Sequence, residues 1–175
     1  MEGADSGSSA EGDPAAQARS IVLRQLTVSA KSRLQLARKL AERGIPEDVA
    51  DSVLDRFEEV RLVDDAEFAE AWVRSRAASR KLARGALRRE LADKGVAGEF
   101  AEAALSKVSD EDEEAAARDL VRKKLRGKPL PVDRAEREKV TRRVAGMLAR
   151  KGYQPSLAFR IVGEEFDIAD LTPGD

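Results

Sequence analysis

The chain has 175 residues, of which 42% are hydrophobic, only 4% aromatic and 37% charged, and its formal net charge is −1. It contains neither Cys nor His, which excludes disulfides, thiolate nucleophiles, His-based triads and most zinc sites. The expected core is mostly Leu, Val and Ala, and the near-neutral charge argues against a uniformly basic nucleic-acid coat.

The head, residues 1–13, carries acidic and small residues with neither a basic nor an apolar region, and a disordered acidic N-terminus is expected there. No apolar run approaches the roughly 18 residues that cross a bilayer, so the expectation is a cytoplasmic protein. Pro14 suits the first turn of a helix, where its missing N–H costs nothing, and Ile21, Leu23 and Leu26 continue that helix. Ser29 or Ser32 can cap a second helix, with Leu36 and Leu40 on one face and Gly44 as its stop. Pro46 opens a third, with Val49, Val53 and Leu54 turned inward.

The triplet recurs. Helices are predicted from Asp64 to about Ser79, from about Arg84 to Lys94 and from Ala97 to Lys107. Phe68 and Trp72 sit four apart in the first of these, which is core spacing. A third set starts at Asp110–Glu114, whose carboxylates suit the positive end of a helix dipole, and runs through Leu120, Val121 and Leu125. Gly127–Val132 breaks the chain before a helix from Asp133 to Arg150 and another from Pro155 to Phe166. No alternating pattern of useful length predicts a strand.

One phrase is written three times. Leu40-Ala41, Leu91-Ala92 and Leu148-Ala149 are each followed by a basic residue and Gly (Arg43-Gly44, Lys94-Gly95, Lys151-Gly152), then by Ile45, Val96 or Tyr153. Apolar residues continue in register at Val49, Phe100 and Leu157, at Val53, Ala104 and Ile161, and at Leu54, Leu105 and Val162; Leu36, Leu87 and Val144 agree upstream. The glycines lie 51 and 57 residues apart, which marks a repeated supersecondary unit. The fold class is therefore all-α: about nine helices in three tandem three-helix repeats, over residues 14–60, 61–108 and 109–167, with a flexible C-terminus from 168 to 175. Each unit is too small to bury much surface alone, so the repeats are expected to share contacts in an elongated, curved row. With helices about 10 Å across, three units in line reach on the order of 60 Å.

Charge is segregated although it nearly cancels. One basic tract runs through Arg74, Arg76, Lys81, Arg84, Arg88, Arg89 and Lys94, and a second through Arg122, Lys123 and Lys124 with Arg142 and Arg143 beyond. A run of this kind is commonly a solvated helix face paired with neighbouring Glu and Asp. Two tracts placed alike in successive units point instead to a polyanion or an acidic protein groove. Asp64-Asp65 and the Asp110–Glu114 run are candidates for a divalent cation, but their places at helix starts explain them without a metal. No cofactor is expected: the glycines fit helix stops, and the G-x-x-x-x-G-K phosphate loop is absent.

The stretch Leu62-Val-Asp-Asp-Ala-Glu-Phe-Ala-Glu-Ala-Trp-Val-Arg-Ser-Arg76, followed by Leu87-Arg-Arg-Glu-Leu-Ala-Asp-Lys-Gly-Val96, resembles the signature of RecX, the bacterial regulator of the RecA recombinase. Ser32–Leu40 is similar to that family's first-repeat helix and Met147–Tyr153 to its third. The resemblance implies an all-helical arc of three-helix repeats that lies in the groove of the RecA filament, contacts more than one protomer and blocks recombinase, ATPase and co-protease activity. It implies no catalytic residues, so the protein is expected not to be an enzyme. A monomer is expected. The link before Leu87 often holds Gly-Pro in the family; here it reads Leu82-Ala83-Arg84, which predicts a more helical and more charged link. Two other readings stay open: a DNA-binding protein of helix-turn-helix geometry, and a bare repeat scaffold for another protein.

Overall fold

The computed structural model describes residues 12–171, and among them there are nine α-helices and no strand. The acidic head up to residue 11 and the tail 172–175 lie outside the described residues. The order is α1 Pro14–Val28, α2 Arg33–Glu42, α3 Glu47–Glu59, α4 Asp65–Arg80, α5 Arg84–Asp93, α6 Gly98–Leu105, α7 Asp110–Leu125, α8 Arg134–Arg150 and α9 Pro155–Leu171. The chain divides into two compact units between Phe68 and Ala69.

Helix starts follow the short polar residues. Asp13 accepts a hydrogen bond from the Ala15 amide with Pro14 at the first helical position. Ser32, one of the two candidate caps, forms a reciprocal capping box with Gln35, and Ser109 forms one with Asp112. Each such cap satisfies two amides that the helix itself leaves open. Asp64 accepts from the amides of Ala66 and Glu67, both at 3.0 Å, so one member of the first acidic pair is a helix cap. The other, Asp65, accepts from the Arg33 amide at 2.8 Å.

The thrice-written phrase is a helix stop. In each copy the glycine amide reaches back to the alanine carbonyl (Gly44 to Ala41, Gly95 to Ala92, Gly152 to Ala149), at 3.0, 2.9 and 3.0 Å. The next amide reaches the leucine carbonyl (Ile45 to Leu40, Val96 to Leu91, Tyr153 to Leu148), at 3.1, 2.9 and 3.2 Å. This pair of bonds is the Schellman motif, which needs a left-handed residue at the glycine; φ there is 74°, 78° and 91°. The apolar residue after the glycine is carried back under the leucine, and all six of these side chains are buried. Burying each such Leu is worth roughly 1.5–3 kcal/mol.

In the first unit, Ile21 and Val22 of α1, Leu36 and Leu40 of α2, and Val53 and Leu54 of α3 share one core. In the second unit, Val144 and Leu148 of α8, Ile161, Val162 and Phe166 of α9, and Val121 of α7 form another, which Ala83 joins from the link before α5. The register holds at every repeated apolar position except one. Phe100 is 46% exposed: α6 starts three residues after its glycine, as α3 and α9 do, and its buried face is Ala101, Ala104 and Leu105, which leaves Phe100 at the edge of that face, where Val49 and Leu157 are also only partly buried.

Three further expectations are corrected. The link before α5 is not more helical: Lys81 takes φ 50° and Ala83 is extended, because the Ala83 amide is drawn out of line to the Lys151 carbonyl at 2.9 Å. Helix α9 runs past Phe166 to Leu171; Arg137 of α8 packs over the Phe166 ring and pairs with Asp170, which holds the last turn. Trp72 is only half-buried, and the Arg76 guanidinium and the Lys94 ammonium lie over its ring.

The turn at Gly152 does a second job. Its backbone lies against α5, where a Cβ on Gly152 would run into the backbone nitrogen and Cβ of Ala86, and a Cβ on Gly85 would come within 2.5 Å of the Gly152 carbonyl oxygen. Gly44 has the same left-handed backbone but open space around it. Gly44→Ala should therefore cost about 1–2 kcal/mol, the strain of a left-handed residue, and Gly152→Ala about 3 kcal/mol or more, because overpacking adds to that strain. Urea denaturation of the two variants beside the parent checks this order.

Candidate partner-binding surface

The structure sorts the twelve candidate cations into two groups. Six hold carboxylates of the protein itself. Arg76 lies 3.6 Å from Glu90; Lys81 reaches Asp119 at 3.0 Å; Arg84 pairs with Asp110 and, at 3.1 Å, with the buried Glu113. Arg88 grips Glu102 with two bonds of 2.7 and 2.9 Å. Arg122 donates to the buried Glu165 at 2.8 Å, and Arg142 to Glu138 at 2.5 Å.

A seventh, Lys94, sits over the Trp72 ring, 4.2 Å from its centroid, with the Arg76 guanidinium 4.3 Å from the same point. The indole N–H donates to Glu90 at 2.8 Å. Trp72 is thus the centre of a charged cluster, and cation–π attraction accounts for its partial exposure.

The remaining five, Arg74, Arg89, Lys123, Lys124 and Arg143, are exposed and have no hydrogen bond or ion pair of the side chain among the described residues. They are not one patch in the fold. Arg74 lines a cleft between α4, α6 and α7. Lys124 and Arg143 line a smaller crevice, about 70 Å³, together with Lys128 and the apolar Leu130, Val140 and Phe166. Lys128 was missed as a candidate although it closes the second tract. Its neighbours Gly127 and Pro129 read as a chain break, and only the fold brings its side chain beside Arg143. From Arg122 to Arg143 the sequence holds ten Lys and Arg against three Asp and Glu.

Much of the other charge is structural. Arg118 of α7 bonds Glu114 at 2.7 Å, Glu164 at 2.6 Å and Glu165 at 3.2 Å, and Arg160 of α9 joins Glu114 and Glu164 at 2.8 and 3.0 Å. The network ties α7 to α9. Hydrogen bonds from Arg160 and then Arg118 hold the Glu114 carboxyl down to about 2 from the ordinary 4.5. The same two arginines, Arg118 first, lower Glu164, and the Arg88 fork lowers Glu102. The acidic run at the start of α7 therefore serves as a cap at Asp112, as a partner of Arg84 at Asp110 and Glu113, and as a network centre at Glu114.

Tyr153 is buried and its hydroxyl donates to the Lys81 carbonyl at 2.8 Å; burial, and then the Glu113 charge, push its ionisation upward. No helix among the described residues is long and apolar enough to cross a membrane. The nine helices among the described residues and the three-fold helix-stop motif define an all-α repeat protein.

Family models for the first, second and third three-helix domains of RecX match residues 18–57, 64–105 and 111–162. Regulatory protein RecX of Streptomyces coelicolor is 50% identical over 155 residues, covering 89% of this chain and 80% of that protein. Its counterpart in Thermobifida fusca is 49% identical over 169 residues, covering 95% and 88%. A crystal structure of RecX from Lactobacillus salivarius superposes with a TM-score of 0.77 at 21% identity, over 89% of this chain and 98% of that one. The chain belongs to the RecX family of regulatory proteins.

The α7–α9 network has a testable sign. Glu114 is held below its ordinary value in the fold, so its contribution is complete above about pH 4.5 and is lost as pH falls toward 2. Thermal melts followed by circular dichroism should show that loss, and Glu114→Gln should lower stability at neutral pH while flattening the acid limb.

Proposed function

We propose that the protein is a negative regulator of the RecA recombinase that binds in the groove of the RecA nucleoprotein filament and lowers its recombinase, ATPase and co-protease activities, in DNA repair and the SOS response. The observation that carries this reading is the agreement with all three RecX domains in order, joined to about half-identity with regulatory proteins of that name across most of the chain. Binding of this kind needs no chemistry of its own. It needs contacts that favour one arrangement of the partner, and several weak contacts on one chain add through effective concentration. Assembled filament should therefore be bound far more tightly than free RecA.

The five uncommitted cations are the ones we assign to the partner. The seven others would have to give up a carboxylate or the Trp72 ring first. Their exchange for a partner's carboxylate or phosphate would gain little, because exposed pairs contribute at most about 1 kcal/mol each.

A second reading, direct contact with nucleic acid, is favoured by the excess of basic residues from Arg122 to Arg143. Protein titrated against RecA on single-stranded DNA, and in parallel against the DNA alone, separates the two. Inhibition of ATP hydrolysis and strand exchange, with weak binding to bare DNA, is expected; tight binding to bare DNA without inhibition would favour the second reading. Lys123→Glu with Lys124→Glu should weaken filament binding about tenfold with the melting temperature unchanged, since neither residue has an internal partner. Arg88→Glu should instead lose stability, because it sets two carboxylates face to face.

A further inference from the structure

A cleft of about 400 Å³ opens between α4, α6 and α7, within the range of ligand sites. Its wall is apolar: Val73, Ala77, Leu82, Ala104, Val108 and Ala116. Three of these are alanines on three different helices, and their short side chains leave the space. Helix α4 presents Glu70, Val73, Arg74 and Ala77 to it at the three- and four-residue spacing of one helix face.

The polar groups around the cleft are committed elsewhere. Glu113 accepts from the backbone and guanidinium of Arg84. The Tyr153 hydroxyl donates to Lys81, Lys107 pairs with Glu70 at 2.7 Å, and Asp112 accepts from the Ser109 amide. Arg74 alone of the charged lining residues has no such partner among the described residues. The chemistry of an occupant follows. What enters must be apolar, because the wall offers it no open donor or acceptor, and what sits at the mouth beside Arg74 must be anionic. A small molecule would find no converging polar groups to orient it, whereas a side chain carried on a partner's backbone is oriented already.

We propose that this cleft receives one large aliphatic or aromatic side chain of a RecA protomer, with a neighbouring carboxylate of that protomer paired to Arg74. The inference rests on the function proposed above and adds the anchor point. Filling the cleft from within tests it without removing any contact. Ala77→Leu occupies the space, Ala78→Leu narrows the mouth from an exposed position, Arg74→Glu reverses the charge, and Ala103→Leu adds the same bulk on the exposed side of α6, outside the cleft.

With folding checked by circular dichroism, Ala77→Leu and Ala78→Leu should raise the concentration for half-inhibition of ATP hydrolysis by RecA on single-stranded DNA at least tenfold. Arg74→Glu should raise it several-fold, and Ala103→Leu should leave it unchanged. If the parent protein inhibits and the folded cleft variants inhibit equally well, the cleft is not the anchor, although the proposed function stands. An equal loss from Ala103→Leu also overturns it. Should the parent neither bind nor inhibit the filament, both the function and the anchor fail together.

Discussion

The amide of Ala83 donates to the carbonyl of Lys151 across 2.9 Å, and around this bond the second and third repeats are joined. Lys151 returns a second bond from its ammonium to the Arg80 carbonyl, and Tyr153 a third to that of Lys81. These three bonds satisfy the open carbonyls and amide of a link that has left the helix and whose last residue, Ala83, is buried. They are possible only because Gly152 and Gly85 bring two backbones closer than any Cβ would permit. The helix stop that ends α8 is thus also the surface on which α5 begins. The ion pairs from Arg84 to Asp110 and Glu113, and from Lys81 to Asp119, lie on the same junction.

This junction decides which charges remain for a partner. By setting α7 beside the start of α5, it consumes Lys81 and Arg84, and it leaves Arg74, about two turns back on α4, without an ion pair among the described residues, since Glu70 is taken by Lys107 and Glu113 by Arg84. It also defines the cleft, whose lining comes from α4 and the link on one side and from α6, α7 and Tyr153 on the other. A near-neutral chain can in this way present local positive charge, since its acids are spent internally at Glu113, Glu114 and Glu165 while some of its cations are not. Net charge alone is a poor guide to such a surface; pairing is the better one.

The repeat was legible because it is chemically obligatory. A left-handed C′ residue favours glycine, and the motif joins the residue one after it to the residue four before it, so the phrase Leu-Ala-x-basic-Gly-apolar announces both a stop and a core pair. Helix starts at Pro14, Ser32 and Asp64 could be read for the same local reasons. What the sequence hid was tertiary. Nothing around Lys81–Arg84 signals that Lys151, some seventy positions later, will hold the link extended. Phe100 matches its counterparts by position, yet it lies at the edge of the buried face of α6 and is exposed. The basic tracts were visible as tracts, but Arg88 and Arg89 are neighbours in sequence with opposite fates, one forked on Glu102 and the other uncommitted. The cleft left no mark in the sequence, since alanines that make room look like alanines that merely favour a helix.

The coupling of the second and third repeats through the Lys151–Tyr153 turn is the claim on which the rest stands, and the Ala83 amide reports it directly. In native-state hydrogen exchange by NMR, Ala83 should exchange as slowly as the core amides of α8 and α9, because opening it requires the junction itself to open. Exchange at the rate of an exposed link, while Leu148 and Val162 stay protected, would contradict the account.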